Sequence, residues 1–451
     1  MAYTLTREQL LVDLHQAYYD ARRHKRQKPY QQHFERCAEA NLERLCDELW
    51  TRTYRPQPST CFIITDPKRR EVFAAQFRDR VVHHLYYNYV HVMLERTFIQ
   101  DSYSCIKHRG THYGIARLER HIRRESQNYT VPCYAMKMDI SGYFMHIDRQ
   151  RLLDITIGQL RRMAGHSVGG RASEPATTQS EVAAAGGLGS PPSYWRDAVD
   201  MEFVEWLTAT IILQDPTENC RRRGSLLDWQ GLTRDKSLFH SPPGCGLPIG
   251  NLTSQLFSNV YLNELDQYAK RVLHCRHYGR YVDDFYVVSA DREWLLSLQQ
   301  PFVRFLNENL GLTVNQGKTR LCDVRQGVEF LGAYLKPRRR YVSNTTLGRM
   351  ERKIPGMALL QNPEQLRSRL NSLLGLLSHY RSYSLRRQLF FSHPVARRWG
   401  YFQAGMGKYV LFPVSPAPTA PRPRPAPCRA RAARGGAGGW CLWCAPHVCF
   451  R

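Results

Sequence analysis

The stretch "GRYVDDFYVV", Gly279 to Val288, sets two adjacent acids, Asp283 and Asp284, among aromatic and branched apolar residues. Carboxylates in such a setting cost free energy unless something cationic meets them. Adjacent acids in a turn between two strands can present both carboxylates on one edge of a sheet, although Asp also starts turns for local reasons. A third acid, Asp139, ends the run "YAMKMD", where it would be awkward in a packed core. Three carboxylates converging from two strand ends are hard oxygen donors suited to Mg²⁺. Two such ions polarise an attacking hydroxyl and stabilise a leaving pyrophosphate. Their charge also lets like carboxylates stay ionised side by side. On these residues alone, three unrelated surface acids remain the alternative.

Strands must carry such a group. The segment "VPCYAMKMDISGYF" (131–144) reads as a strand running into a turn, and 279–288 as a hairpin. Between them the loop "SPPGCGLPIGN" leads into the helix "LTSQLFSNVYLNELDQYAKRVL". Asn251 or Thr253 can cap that helix, and Leu256, Val260, Leu265 and Tyr268 line one face. Upstream, residues 5–50 are helical in pattern, with Leu10, Leu11, Leu14 and Tyr18 together, and "CFIIT" (61–65) is a short strand. Phe73, Phe77, Val81, Leu85, Tyr89 and Val92 then recur at helical spacing. Downstream, 295–310 reads as a helix, "LTVNQGKTRLC" and "VEFLGAYLKP" as strands, and 344 to about 395 as basic helix. Residues 164–192 are rich in Gly, Ala and Ser and read as a flexible insertion. The Pro-, Ala- and Arg-rich sequence after Phe412 reads as a disordered tail.

Lys and Arg number 64 against 39 Asp and Glu in 451 residues, a formal net charge of +25. Six of the arginines and no acid lie in 413–451, so most of the excess belongs to the sequence before the tail. A basic excess spread over folded sequence favours a polyanionic partner, most commonly nucleic acid. No apolar run is long enough to span a bilayer, and "MAYTLTREQLL" lacks the layout of a secretory signal. Nine of the 13 cysteines are scattered singly, as expected of reduced thiols in a cytoplasmic protein. Cys441, Cys444, His447 and Cys449 are zinc-ligand types, but their cramped spacing reads as disordered terminus rather than a zinc site.

"YVDD" with an upstream "MDISGYF" resembles the palm of a reverse transcriptase, and other motifs follow in the family's order. "KRREVFAAQFRDRVVHHLYY" resembles the fingers, "SYSCIKHRGTHYGI" the stretch after them, and "GLPIGNLTSQLFSNVYLNELD" the loop-helix beneath the nascent base pair. "NQGKT" carries the Lys of the next motif, "VEFLGAYL" resembles the primer grip and "NSLLGLLSHYRSYSLRR" a helical thumb. The loop reads Pro248-Ile249-Gly250 and continues "NLTSQ", where group II intron and retron enzymes usually show Pro-Gln-Gly. Ile249 with Gln255 is similar to reverse transcriptases of diversity-generating retroelements, as is "ENCRRRGSLLDWQGLTRDKSLFH".

The resemblance implies an α+β, right-hand polymerase fold. Its parts would be amino-terminal helices and fingers (1–130), a palm built on an antiparallel sheet (131–336, with the 164–192 insertion), a short helical thumb (337–412) and the tail (413–451). It implies an RNA-directed DNA polymerase, error-prone at adenines, working with two Mg²⁺ ions or Mn²⁺ in their place. The implied partners are a template RNA, a DNA or RNA primer, dNTPs and a basic accessory protein, with no membrane and a bacterial or phage source. Asp139 and Asp283 would bind both metals, with Asp284 assisting and the Ile140 carbonyl as a further ligand. Phe144 matches the steric gate against a ribose 2′-OH. Arg70, and less directly Lys68 and Arg69, would contact triphosphate or template. Ile249, Gly250 and Gln255 would lie at the nucleotide, Lys318 at the leaving pyrophosphate and Gly332 at the primer. A group II-like, retron-like or defence-associated reverse transcriptase is the rival within this class, and an inactive RNA-binding scaffold the rival outside it.

Overall fold

The computed structural model describes residues 4–23, 27–66, 68–167, 200–391, 397 and 399–413. Most of the 164–192 insertion and nearly all of the tail, with Cys441, Cys444, His447 and Cys449, lie outside the described residues. The amino-terminal helical pattern resolves into α1 (Arg7–Arg22), α2 (Pro29–Glu35) and α3 (Ala38–Trp50). The Thr6 side chain caps α1 by accepting from Gln9 N–H, and Pro29 starts α2 at the position where a missing N–H costs nothing.

Two strands, β1 (Thr60–Ile64) and β2 (Arg70–Ala74), form an antiparallel hairpin before α4 (Phe77–Glu95). This corrects the helix expected to include Phe73. Phe73 pairs with Cys61 in the hairpin, and its four-residue spacing to Phe77 bridges a strand end and a helix start. Next come α5 (Thr111–Glu125), β3 (Tyr134–Asp139), α6 (Tyr143–His146), α7 (Arg149–Ser167) and α8 (Met201–Ile212). A two-residue strand, β4 (Arg221–Arg222), then joins β1 in parallel.

Helix α9 (Leu252–Gln267) continues into a π-helical turn and leads to the hairpin β5 (His277–Tyr281) and β6 (Asp284–Ser289). Asn251 stands at the head of α9 but does not cap it; its Oδ1 accepts from Ala75 N–H at 3.4 Å. The helix expected over 295–310 is two, α10 (Arg292–Ser297) and α11 (Gln299–Leu310), capped at its end by Gly311 at φ +63°. β7 (Arg320–Asp323) completes a four-stranded antiparallel sheet of order β5-β6-β3-β7.

Period-two alternation gives this sheet two different faces. Met136, Met138, Phe285 and Val287 point into the main core with Val260, Tyr261 and Leu265 of α9 and Val82 and Leu85 of α4. Ala135, Tyr286 and Val288 point to the other side, where Ile115, Leu118 and Ile122 of α5 pack with Phe330 and Leu335. Those last two belong to a second antiparallel sheet of β8 (Val328–Phe330), β9 (Ala333–Lys336) and β10 (Arg339–Val342). Three helices follow, α12 (Asn344–Ala358), α13 (Pro363–Ser378) and α14 (Tyr383–Arg386). A hairpin of β11 (Gly400–Gln403) and β12 (Lys408–Leu411) closes the described chain, in place of helix alone. Asn371 of α13 clamps it, donating to Tyr409 C=O at 3.0 Å and accepting from Tyr409 N–H at 2.8 Å. The architecture is α+β, centred on the helix-backed antiparallel sheet. Among the described residues no helix is long and apolar enough to cross a membrane.

Candidate active site

Asp139 and Asp284 are register partners at the end of the β3–β6 ladder. Directly opposed residues of an antiparallel pair share a face, and Lys137, two residues before Asp139, lies on that face too. Tyr281 pairs with Asp284, so Val282 and Asp283 form a two-residue turn between β5 and β6. Val282 has φ +56°, a conformation that a β-branched residue rarely takes. Positive φ at the first central residue alone is the pattern of a type II′ hairpin, where glycine is usual. Backbone bonds lace the neighbouring strand ends together: Ile140 N–H to Asp283 C=O at 3.2 Å, Asn315 N–H to Asp139 C=O at 2.7 Å and Ser141 N–H to Thr313 C=O at 2.8 Å.

The carboxylates press on one another. Burial pushes Asp283 up to about 6, the Asp139 charge adds to it, and Lys318 and Arg70 oppose it. Burial likewise pushes Asp284 up to about 6, opposed by Lys137 and reinforced by Asp283 and Asp139. Lys318 Nζ lies 2.7 Å from Asp139 Oδ2, and Lys137 Nζ lies 3.8 Å from Asp284 Oδ1. Burial works against the Lys318 charge, but its hydrogen bond to Asp139 and the acids around it raise its pKa.

The donor set has the chemistry of a divalent-cation site: three hard carboxylates whose mutual repulsion a cation would relieve. In this arrangement the oxygens are not drawn into a common shell, and among the described residues no group of three or more His, Cys, Asp or Glu side chains has metal-holding geometry. Asp139 is instead engaged by the Lys318 ammonium.

The loop before α9 is tied to the hairpin and to α6. Phe73 N–H donates to Ile249 C=O at 2.9 Å, and Leu247 N–H to Phe144 C=O at 2.8 Å. Phe144 and Ile249 are thereby brought together, both half-buried against Cys61, Phe73, Met145 and Leu238. Gly250, exposed at φ +126°, lies so near β2 that a Cβ there would meet Val72 Cγ1 at 2.9 Å and Phe73 O at 3.1 Å. Gln255 is exposed one turn into α9, while Lys68, Arg69 and Arg70 are exposed at the β1–β2 turn. Gly332, at φ +82°, belongs to the β8–β9 turn, where its carbonyl accepts from Ser343 N–H at 2.9 Å. Ile140 is buried directly after Asp139.

Several residues at the site were not singled out from sequence. Lys137 had a signal, since period two in "YAMKMD" sets it on the face of Asp139. Glu71 of β2, buried, accepts from Trp229 Nε1 and Leu238 N–H, both at 2.7 Å, and from Ser237 Oγ, tying the 225–240 loop to the hairpin. The residues just before that loop bring further arginines: Arg222 stacks over Phe239 and Arg223 over Phe62, each 4.3 Å from the ring centroid. Arg280, whose side chain is buried beneath the Asp283 turn, had no periodic signal.

The family model described as reverse transcriptase (RNA-dependent DNA polymerase) matches residues 210–335, a narrower span than the motif order suggested. No curated protein matches the chain. Among solved structures, the chain is similar to the telomerase of Candida albicans in complex with a fragment of telomeric RNA, at 12% identity and TM-score 0.42, covering 79% of this chain and 64% of that one. It is also similar to the apo telomerase of Candida tropicalis, at 11% identity and TM-score 0.42, covering 74% of this chain and 56% of that one. The chain thus spans about three fifths of the length of these telomerases. The segment that holds Ile249, Asp283, Asp284 and Lys318 is thus the part of the chain that is similar to the reverse transcriptase (RNA-dependent DNA polymerase) family.

Proposed function

We propose that the chain copies a template RNA into cDNA by two-metal nucleotidyl transfer, and that it does so with errors, as the enzyme of a diversity-generating retroelement. The observation that supports the first part best is the placement of Asp139 opposite Asp284, with Asp283 in the adjoining turn, inside and beside a segment of reverse transcriptase sequence. Residues 1–130 then serve as fingers, 131–336 as palm and 337–412 as thumb.

Asp139 and Asp283 would supply oxygens to a pair of divalent cations, with Asp284 and the Ile140 carbonyl as further donors. When bound, Mg²⁺ polarises the primer 3′-OH and carries the charge that develops on the departing pyrophosphate. Arg70 of the β1–β2 hairpin meets the triphosphate, with Lys68 and Arg69 toward the template. Phe144 walls the ribose, Gly250 lets the backbone approach the nucleotide, and Gln255 faces it from α9. Lys318 holds a proton near the leaving group, and Gly332 lies at the primer. Basic surface on both sides grips RNA and the RNA–cDNA hybrid through phosphates, so binding weakens with salt.

Ile249 supports the retroelement reading. Its half-buried apolar side chain offers no hydrogen bond where an amide could report on base-pair geometry. A basic accessory protein and a cognate template RNA complete the system. Primer extension on an RNA template with Mg²⁺, beside an Asp283→Asn control, tests the activity, and sequencing the cDNA tests the adenine errors. Product from the wild type alone supports the polymerase, and accurate cDNA would point to a group II-like enzyme. No product from either protein, with template RNA and accessory protein supplied, would leave an RNA-binding scaffold.

A further inference from the structure

We infer that Arg280 and Asp266 form a buried positioning pair that locks the turn carrying Asp283. The inference rests on the reading of Asp283 as a metal-holding carboxylate. Arg280 is 1% exposed and Asp266 fully buried. The guanidinium grips the carboxylate with two bonds, Nε to Oδ1 at 2.8 Å and Nη2 to Oδ2 at 2.7 Å, and Asp266 also accepts from Tyr278 OH at 2.7 Å. Asn259, seven residues before Asp266 on the same face of α9, and Ser102 accept from the remaining donors at 3.4 and 3.2 Å.

A buried ion pair is weak evidence for stability, because apolar residues of like volume often do as well. This pair has a more specific target. Arg280 Nη1 donates to the carbonyl of Val282 at 3.0 Å. That carbonyl belongs to the peptide joining Val282 to Asp283, and Val282 is the residue at φ +56°. Rotation of this peptide plane is what interconverts the tight hairpin turn types, and it would swing the bond that aims the Asp283 side chain. A charged donor on the carbonyl opposes the rotation more strongly than a neutral one. Arg280 is held in turn by α9, which begins just after the Ile249–Gly250 loop. The pair therefore sets the acid turn in register with the helix beneath the nucleotide loop.

The test uses Mn²⁺ binding, read by electron paramagnetic resonance, with the protein on an RNA template, a 3′-dideoxy-terminated primer and the next dNTP. Arg280→Lys and Asp266→Asn keep charge or shape, and a cooperative thermal transition certifies folding. We expect Mn²⁺ affinity about tenfold weaker in each, as for lost partners of metal-holding groups, with primer–template affinity unchanged. Val282→Gly supplies the discriminating arm. Glycine takes positive φ freely, so Arg280→Lys should lose under threefold in that background. Unchanged Mn²⁺ affinity in folded Arg280→Lys, or an equal loss in both backgrounds, would overturn the inference. Wild type that binds no Mn²⁺, and that extends no primer with a free 3′-OH in a parallel assay, would overturn the reading beneath it as well.

Discussion

Lys318 Nζ lies 2.7 Å from Asp139 Oδ2, closer than Lys137 approaches Asp284 at 3.8 Å. An ammonium there and a divalent cation compete for the same oxygen. Lys318→Met should therefore lower the Mg²⁺ concentration needed for half-maximal extension. It should also slow the chemical step by about 10²-fold, if Lys318 protonates the leaving group. Single-turnover extension across a Mg²⁺ series reads both effects, and a rise in the Mg²⁺ requirement would refute the competition.

Asp283→Asn should reduce extension by at least ~10³-fold yet leave the metal-free protein no less stable. The ordinary loss on removing a buried polar group does not apply, because ionised Asp283 is disfavoured by burial and by Asp139. A thermal melt in EDTA at neutral pH should show an unchanged or higher midpoint than wild type. Added Mg²⁺ should raise the wild-type midpoint and leave that of the variant unmoved.

The same shift sets a pH dependence. Asp283 and Asp284 both rise from 3.8 to about 6 on folding, so the folded state takes up protons before the unfolded chain does. As pH falls from 6 toward 4, these two groups favour the folded, metal-free protein, opposite to the usual loss of carboxylate ion pairs in acid. Metal must displace those protons. The Mg²⁺ requirement should climb below about pH 6, by up to about tenfold per pH unit for each proton displaced. A requirement that stays flat between pH 5 and 7 would contradict the shift.

Asp139, Asp283 and Asp284 were legible because local pattern places each of them: alternation in "YAMKMD" and a hairpin turn with no residues to spare. The antiparallel sheet was expected only through the family resemblance, because β3 finds its partners β6 and β7 far along the chain. What failed to show were pairings settled by distant partners. β4 is two arginines, too short for any period, and becomes a strand only against β1, some 160 residues earlier. Asn251 looks like a helix cap, but Ala75 N–H, brought in by the β2–α4 bend, takes its side chain. The β11–β12 hairpin turns on Ala404, Gly405 and Met406 at positive φ, and two of those three residue types do not announce a turn. Arg280 was hidden for a different reason. A basic residue beside two acids reads as surface charge until the buried Asp266, on another element, is seen beneath it.

Gly250→Ala should damage the nucleotide site from the backbone outward. The added Cβ would meet Val72 Cγ1 and the Phe73 carbonyl, and φ +126° is closed to alanine. Strain on the order of 1–3 kcal/mol would be relieved by moving the loop off β2, breaking the Phe73 N–H to Ile249 C=O bond. The dNTP KM should rise about tenfold with primer–template affinity unchanged, as steady-state extension and filter binding would show.

Ile249→Gln tests what the loop contributes to accuracy. Ile249 is half-buried against Phe73, Leu238 and their neighbours, so the longer amide must either leave that cluster or bury unpaired polar atoms. Leaving is the cheaper course, since an unsatisfied buried amide costs about 1–3 kcal/mol. The side chain would then extend toward the nucleotide and could accept or donate at a base or sugar edge. A correct pair would gain a bond that a mispair opposite adenine could not make with the same geometry. Discrimination should improve by about 10-fold for about 1.4 kcal/mol of such a bond, with stability slightly lowered by the lost apolar contact. Deep sequencing of cDNA from wild type and variant on one adenine-rich template measures the change. An unchanged error spectrum would show that accuracy is set elsewhere, with Phe144 and the Glu71-clamped loop the next residues to vary.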